Sequence, residues 1–528
     1  MSTSAHAAAP ARVVVVGAGL SGLAAACHLR GAGHDVLVLE REAYVGGRAG
    51  IWESEGFRFD TGPVVMTMPN LLAEPLAAVG ADLEETVPMR RLDPSYRAHF
   101  ADGSRLDVRA DMADLETEVA RVCGDAEARR LRGLLRWLED LYDAEIDEFL
   151  DRNYSSPLGL MRSPRHGVRL MRLGGMGSLD AAVSRRLTDD RLRKVFSFQA
   201  LYAGVSPKAA RAVLAVIAHM DVVRGVSFPE GGMHAIPRGL ASALQAAGGR
   251  IETGVEVEAL LRGRGFGTGG AVQGVRLADG REIRADAVVC TIDLPVAYAH
   301  LLPDLQAPRA ARKGHFSPSA VVWHVGLRTP VAPGTAHHNI HFGADWSGAF
   351  DALIDRRDLM PDPSRLVTVP SVSDASAAPQ GGSTLYVLEP VPHLGAAIDW
   401  RTEGPRMRDR LAEFAERAGY VTDASGIAVE RLVTPLDWEA ADMHLGTPFA
   451  LAHTFGQSGP FRPRNVDRRV PGLVFAGSGT TPGVGVPMVL MSGKHAAWRV
   501  LEHLGQRDRG SSSRGTRNGR QAVQAVTA

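Results

Sequence analysis

An α/β fold of two interleaved domains is what this sequence predicts. Three observations carry it: a buried-strand pattern at residues 13–16 that runs straight into a glycine turn and a helix, a second strand–glycine–helix unit near residue 475, and a length of 528 residues. Single hydrophobic cores stop growing at roughly 250–300 residues, so two domains are expected. The 45% hydrophobic and 22% charged content is ordinary for globular chains and excludes a disordered or fibrous one. Lys and Arg total 59, as do Asp and Glu, so no global field draws in nucleic acid, and none is expected as a partner.

The opening run Val13, Val14, Val15, Val16 is β-branched throughout, as in a strand covered on both faces. GAGLSG follows at residues 17–22, a helix is predicted over 23–29, and a second buried strand over 36–39 ends in Glu40. In this βαβ unit Gly17 permits the tight turn, Gly19 lets backbone approach a pyrophosphate, and Gly22 allows close helix–strand packing. The helix N-terminus faces the phosphates with its positive end, and Glu40 is placed to accept hydrogen bonds from ribose hydroxyls. The opening is therefore Rossmann-type. Gly46-Gly47-Arg48 and Phe59-Asp-Thr-Gly62-Pro63 come next. They supply a second close backbone approach and a guanidinium for phosphate oxygens, which favours FAD over a nicotinamide nucleotide.

Helical spacing dominates residues 111–150 and 155–228. Strands are expected over 250–260 and 287–290, sheet across 321–389 with alternation at 385–388, and a helix over 407–418. The stretch 470–493 carries no charge in 24 residues. Pro471, Pro482, Pro487 and its glycines make it a buried loop system rather than a membrane span, because broken helix would leave backbone groups unpaired in lipid. Within it, 473–475 reads as a strand and 488–504 as a closing helix, with the helix start after 482–487 aimed at a flavin. The predicted FAD-binding domain is discontinuous, 10–110, 225–300 and 466–505. A mixed sheet-and-helix substrate and membrane-facing domain, 111–224 and 301–465, is inserted into it, and 506–528 is a disordered tail.

Cys27, Cys123 and Cys290 are odd in number and form no CxxC pair, which suits a reducing cytosol. The first eleven residues lack a basic-then-apolar leader, so no secretory signal is expected. His337-His-Asn-Ile-His341 is the one metal-like cluster. Lacking a cysteine or carboxylate in register, it is expected to be a surface loop holding no metal. His315, His393 and His453 are expected to be structural, and no catalytic residue is assigned.

Further motifs carry a resemblance: Phe196-Ser-Phe-Gln199 with Gly204 and Pro207, VSFPEGGM at 226–233, FGQS at 455–458, FRPRN at 461–465 and GSGTTPGVGVP at 477–487. Together with the glycine turns they resemble the flavoprotein superfamily of amine oxidases and carotenoid desaturases, and within it the bacterial phytoene-desaturase-type enzymes, over residues 12–504. Ser478 stands where many wider relatives place Asp, and Thr291-Ile292-Asp293 where relatives often read Asn-Ala-Asp. The resemblance implies FAD as redox cofactor and a linear polyene hydrocarbon substrate, a C40 or C30 carotene, drawn from the membrane. It also implies removal of two hydrogens per step and a quinone or oxygen as final electron acceptor. The candidate cofactor-binding set is Gly17, Gly19, Leu20, Ser21, Gly22, Glu40, Arg41, Gly47, Arg48, Gly62, Pro63, Val257, Gly477, Ser478, Gly485, Val486 and Pro487.

Residues 161–196 hold nine cations against three anions, and Arg162, Arg165, Arg169 and Arg172 alternate with Leu160, Met161, Val168, Leu170, Met171 and Leu173. A stretch of this kind docks on an anionic membrane surface or forms a solvated helix face. The expected location is cytoplasmic, peripheral to the inner face of the cell membrane. Two other readings stand beside a desaturase. One is another polyene or amine oxidoreductase on the same scaffold; the 6% aromatic content without a cluster near the last motif argues against an amine oxidase. The other is a flavin-free isoprenoid-binding chaperone.

Overall fold

In the computed structural model, residues 10–146, 151–153, 164–263 and 270–505 are described. The predicted tail 506–528 and the basic stretch's Leu160, Met161 and Arg162 lie outside them. A five-stranded parallel sheet runs in the order Leu473–Phe475, Ala287–Cys290, Arg12–Val16, Asp35–Glu40, Arg250–Thr253. Its strands come from the start, middle and end of the chain. The opening valines divide between two cores because strand side chains alternate. Val13 and Val15 pack with the helices Leu20–Gly31, Ala235–Ala246 and Val486–His503. Val14 and Val16 pack on the other face with the antiparallel sheet formed by Val257–Arg262, Val272–Leu277 and Glu282–Arg284. Helix Leu20–Gly31 sits very close to its neighbours. A Cβ on Gly22 would lie 2.0 Å from the Gly17 carbonyl oxygen, and one on Gly493 would lie 2.4 Å from that of Ser21.

The second sheet has seven strands in the order Ile427–Val433, Ser319–Leu327, Ser383–Val391, Arg365–Thr368, His338–His341, Tyr96–His99, Arg105–Val108. All neighbours are antiparallel except His338–His341 with Tyr96–His99. Val321, Trp323, Val325, Val367, Leu385 and Val387 pack beneath helix Trp400–Arg417. The residues between them, Ala320, Val322, Leu366, Tyr386 and Leu388, face a large cavity. The alternation predicted at 385–388 therefore separates a helix-facing side from a cavity-facing side, and the strand is buried almost throughout.

Three expectations are corrected. The hairpin 96–108, predicted with the nucleotide domain, forms the edge of the seven-stranded sheet. Its inward Tyr96, Ala98, Leu106 and Val108 pack with helices Met112–Cys123 and Asp125–Glu145. The strand predicted over 250–260 is two strands, in different sheets, parted at Gly254 with φ +69°. The 337–341 histidine segment is no surface loop but a buried strand, His338–His341. Strand alternation sends His338 and His341 to opposite faces. His338 Nδ1 pairs with Thr368 Oγ1 at 3.0 Å, while His341 Nε2 meets the Tyr420 hydroxyl at 2.9 Å.

Burial holds these rings neutral, pushing His338 down to about 4 and His337 and His341 to about 3, from an ordinary 6.5. The folded protein refuses protons that the unfolded chain accepts. Stability is therefore complete above pH 6.5 and falls as pH drops toward 4, by about 1.4 kcal/mol per unit of displacement. Urea midpoints measured from pH 7 to 5 are expected to decline. The His338→Gln variant is expected to decline less steeply, and an identical slope would contradict this assignment.

Candidate active site

The carboxyl ends of the parallel strands open into a cavity of about 1350 Å³ that extends across the inner face of the seven-stranded sheet. Ligand pockets are typically about 300–1,000 Å³, so this one has room for a nucleotide and a second, apolar ligand. Switch-point crevices at the carboxyl ends of α/β sheets are the usual place for nucleotides.

Sixteen of the seventeen residues predicted from sequence line this single cavity: Gly17, Gly19, Leu20, Ser21, Glu40, Arg41, Gly47, Arg48, Gly62, Pro63, Val257, Gly477, Ser478, Gly485, Val486 and Pro487. Gly22 is set back from it, in the helix–strand contact described above. Glu40, at the end of its strand, is buried. Its Oε2 accepts the Ala18 N–H at 2.7 Å and its Oε1 the Glu42 N–H at 3.0 Å, leaving each oxygen a further lone pair. The Gly46 N–H donates to Ala18 O at 2.9 Å, docking the second glycine loop onto the first. From that loop Arg48 Nη1 donates to Ser478 Oγ at 2.8 Å, and Nη2 stands 3.8 Å from Asp293 Oδ2. Segments more than 400 residues apart in sequence thus meet around one guanidinium.

Two helices begin at this wall without a cap. Leu20–Gly31 and Val486–His503 each follow a glycine, have no capping side chain, and carry no acidic residue in the first turn. Uncapped N–H groups and the helix dipole favour an anionic ligand there.

Two further residues, one in the cavity wall and one behind it, shape this site without having been predicted from sequence. Asp293 caps helix Leu294–Leu301 through the Leu294 N–H at 3.0 Å and accepts the His444 N–H at 3.0 Å. Arg462 is buried, and its guanidinium donates to the carbonyls of Thr480 at 3.0 Å, Gln457 at 3.2 Å, Leu451 at 3.0 Å and Ser478 at 2.6 Å. Burial lowers it to about 9. It sets the shape of the 478–481 loop. The FRPRN run was the available signal, but a hydrogen-bonding pattern made only to backbone has no mark in sequence.

The far half of the cavity is apolar, with Leu170, Val213, Ile217 and Ile340 among its walls. The sequence has no aromatic cluster near its last motif, yet the fold brings aromatic residues into the cavity wall. Tyr386, Trp438 and Phe449 line it, brought from separate strands and loops. The Tyr386 hydroxyl donates to Gly62 O at 3.1 Å and Trp438 Nε1 to Ala320 O at 2.8 Å, which ties the aromatic wall to the glycine loop and to the sheet. Of the histidines expected to be structural, His453 lines the cavity, held well below its ordinary pKa by burial and Arg462. The backbone N–H of His315 donates to Gln457 Oε1, and the His393 ring accepts the Gly395 N–H.

The family model for flavin containing amine oxidoreductases matches residues 20–501. The chain belongs to that family. It is an FAD-dependent oxidoreductase of the bacterial phytoene-desaturase type. It is 50% identical over 491 residues to a phytoene dehydrogenase of Streptomyces griseus, covering 92% of this chain and 94% of the other. It is 38% identical to a zeta-carotene-forming phytoene desaturase of Myxococcus xanthus, covering 93% and 94%. A 4,4'-diapophytoene desaturase of Staphylococcus aureus is 32% identical, covering 94% and 99%. Among solved structures, an oxidoreductase of Methanosarcina mazei aligns with a TM-score of 0.59 at 18% identity over 92% and 99% of the two chains. A cyclohexylamine oxidase of Brevibacterium oxydans aligns with 0.57 at 16% over 94% and 100%. These two bear on the fold alone.

The residues present fit FAD. A glycine-walled crevice, two uncapped helix starts and a carboxylate with free lone pairs are the donor and acceptor set a dinucleotide needs. A charge-assisted hydrogen bond contributes about 1.5–3 kcal/mol, so Glu40→Gln should weaken FAD binding roughly 10- to 100-fold in a fluorescence titration of apoprotein. An unchanged Kd would remove Glu40 from the nucleotide site.

Proposed function

We propose that this protein is an FAD-dependent desaturase of a linear carotenoid precursor, introducing double bonds into a phytoene-type polyene in carotenoid biosynthesis. The observation that carries the reading is the undivided cavity, polar at its nucleotide end and apolar along the seven-stranded sheet. Its similarity to a phytoene dehydrogenase, a phytoene desaturase and a diapophytoene desaturase supports the substrate class. Bound FAD supplies the two-electron acceptor. The sixteen lining residues hold it, with Glu40 on the ribose, the helix start at Leu20 on the pyrophosphate, and the helix start at Val486 on the flavin ring. Leu170, Ile217, Ile340 and Phe449 exclude water and align an acyclic polyene chain beside it. The substrate is a C40 or C30 carotene, and a quinone or oxygen removes the electrons.

The chain works at the inner face of the cell membrane. Helix Pro164–Arg172 buries Leu170, a cavity residue, and exposes Val168 and Met171 beside Arg165, Arg169 and Arg172. Met176, Phe455 and Phe461, also cavity residues, are exposed as well, with Arg211 over the Phe455 ring. Exposed apolar side chains interspersed with arginines suit an anionic lipid surface, each cation contributing about 1 kcal/mol. Among the described residues no helix is long and apolar enough to cross a membrane. An amine substrate is the second reading, favoured by Tyr386 and Trp438 in the cavity wall.

Anaerobic mixing of the FAD-loaded protein with phytoene or diapophytoene in liposomes is expected to bleach the oxidised-flavin absorption and yield desaturated products by chromatography. Flavin that stays oxidised with both, and bleaches with a primary amine, would overturn the desaturase reading in favour of the second. Changing Arg165, Arg169 and Arg172 together to Gln should reduce sedimentation with anionic vesicles, and undiminished sedimentation would take that helix out of the docking surface.

A further inference from the structure

Asp221 is a buried carboxyl in the wall of the apolar half of the cavity, and among the described residues no cation forms an ion pair with it. It sits in a π-helical turn, His219–Val223, a local irregularity of the kind that recurs at functional sites. Its side-chain partner is the Gln199 amide, whose Nε2 stands 3.2 and 3.4 Å from the two carboxyl oxygens. The same nitrogen donates to Val195 O at 3.0 Å, which holds the amide in place, while Gln199 Oε1 has no partner. The Tyr96 hydroxyl, also buried without a partner, and Tyr202 lie within electrostatic reach. In a chain with 59 cationic residues, a carboxyl serving only to hold the fold would be expected to have one beside it.

Forming a C=C bond from a CH–CH unit removes two hydrogens differently. One leaves with its electron pair to the oxidised cofactor. The other leaves its neighbouring carbon as a proton, and that C–H pair becomes the π bond. A hydrocarbon has no heteroatom to receive the proton, and an apolar chamber admits little water. We propose that Asp221, oriented by Gln199, is the group that accepts the carbon-bound proton in each dehydrogenation, passing from carboxylate to carboxylic acid and then releasing the proton to solvent. This rests on the desaturase reading above. Burial, opposed in part by the Gln199 amide, pushes Asp221 up to about 8, so the ionised form is a competent base that exchanges its proton readily near neutrality.

The test uses the FAD-loaded protein in single-turnover flavin reduction by phytoene across pH 6 to 9 (chosen to span about 8), with infrared spectra of the protein before substrate. The titratable and charged neighbours are Tyr96 and Tyr202, both raised by burial, His219, lowered to about 4, and Arg224 behind it. Tyr142 and Glu145 stand on the packed helix Asp125–Glu145, and His338 lies beyond Tyr96. Wild type is expected to reduce flavin faster as pH rises through the Asp221 limb and to carry a protonated-carboxyl band below it. Asp221→Asn should lose the band and slow reduction at least about 100-fold while retaining FAD and bound polyene. Asp221→Glu should recover part of the rate. Gln199→Leu should move the limb to higher pH, because the amide no longer favours the ionised form. A rate within twofold of wild type in Asp221→Asn overturns the proposal, as does a band and limb that vanish in Glu145→Gln instead. Should Asp221→Asn fail to hold FAD, an unmoved limb in Gln199→Leu overturns it equally. If wild type converts neither phytoene nor diapophytoene, the desaturase reading falls and the proposal with it, whereas failure of Asp221 alone leaves wild-type conversion intact.

Discussion

The Arg48 guanidinium, held between Ser478 and Asp293, joins the three parts of the chain that make the nucleotide end of the cavity. The parts arrive on four strands of the parallel sheet: the glycine turns after Arg12–Val16 and Asp35–Glu40, Asp293 after Ala287–Cys290, and Ser478 after Leu473–Phe475. A parallel sheet requires long crossovers between its strands, and two of these, residues 41–249 and 291–472, supply the strands of the seven-stranded sheet. The interleaving of the two sheets along the chain and the composition of the site are thus one constraint. Removing the closing strand would expose the hydrophobic flank of Ala287–Cys290 and also leave Arg48 without its serine.

The seven-stranded sheet solves a second problem, how to build an apolar chamber that does not collapse. One face is filled by helix Trp400–Arg417 over Val321, Trp323 and Leu385, which gives the sheet its own core. The opposite face is then free to line open space with Val322, Tyr386 and Leu388. Tyr386 and Trp438 spend their polar atoms on Gly62 O and Ala320 O, so the aromatic surface can meet an apolar ligand without an unsatisfied donor. Arg462 does the same for the loop behind the site, using its donors on four backbone carbonyls.

Much of the nucleotide end was legible because its signals are local. A four-valine strand, a glycine turn and an acidic strand end fall within about 30 residues, the span of one βαβ unit. Even Gly22, set back from the cavity, sits in the packing contact its spacing predicts. The histidine cluster misled for the converse reason. His337, His338 and His341 are close in sequence, yet a strand parts neighbours to opposite faces, and their burial depends on strands 24 and more residues away. The 96–108 hairpin was misplaced because nothing within it identifies which sheet its edge will join.

The amino-acid sequence by itself determined that the chain binds FAD, because glycine turns and buried strands are written in consecutive residues. Only the tertiary structure decided what stands opposite that nucleotide. The chamber wall, its aromatic residues and the carboxyl of Asp221 come from side chains tens to hundreds of residues apart. They converge through long-range strand pairing and helix packing, and no local pattern specifies that partner choice.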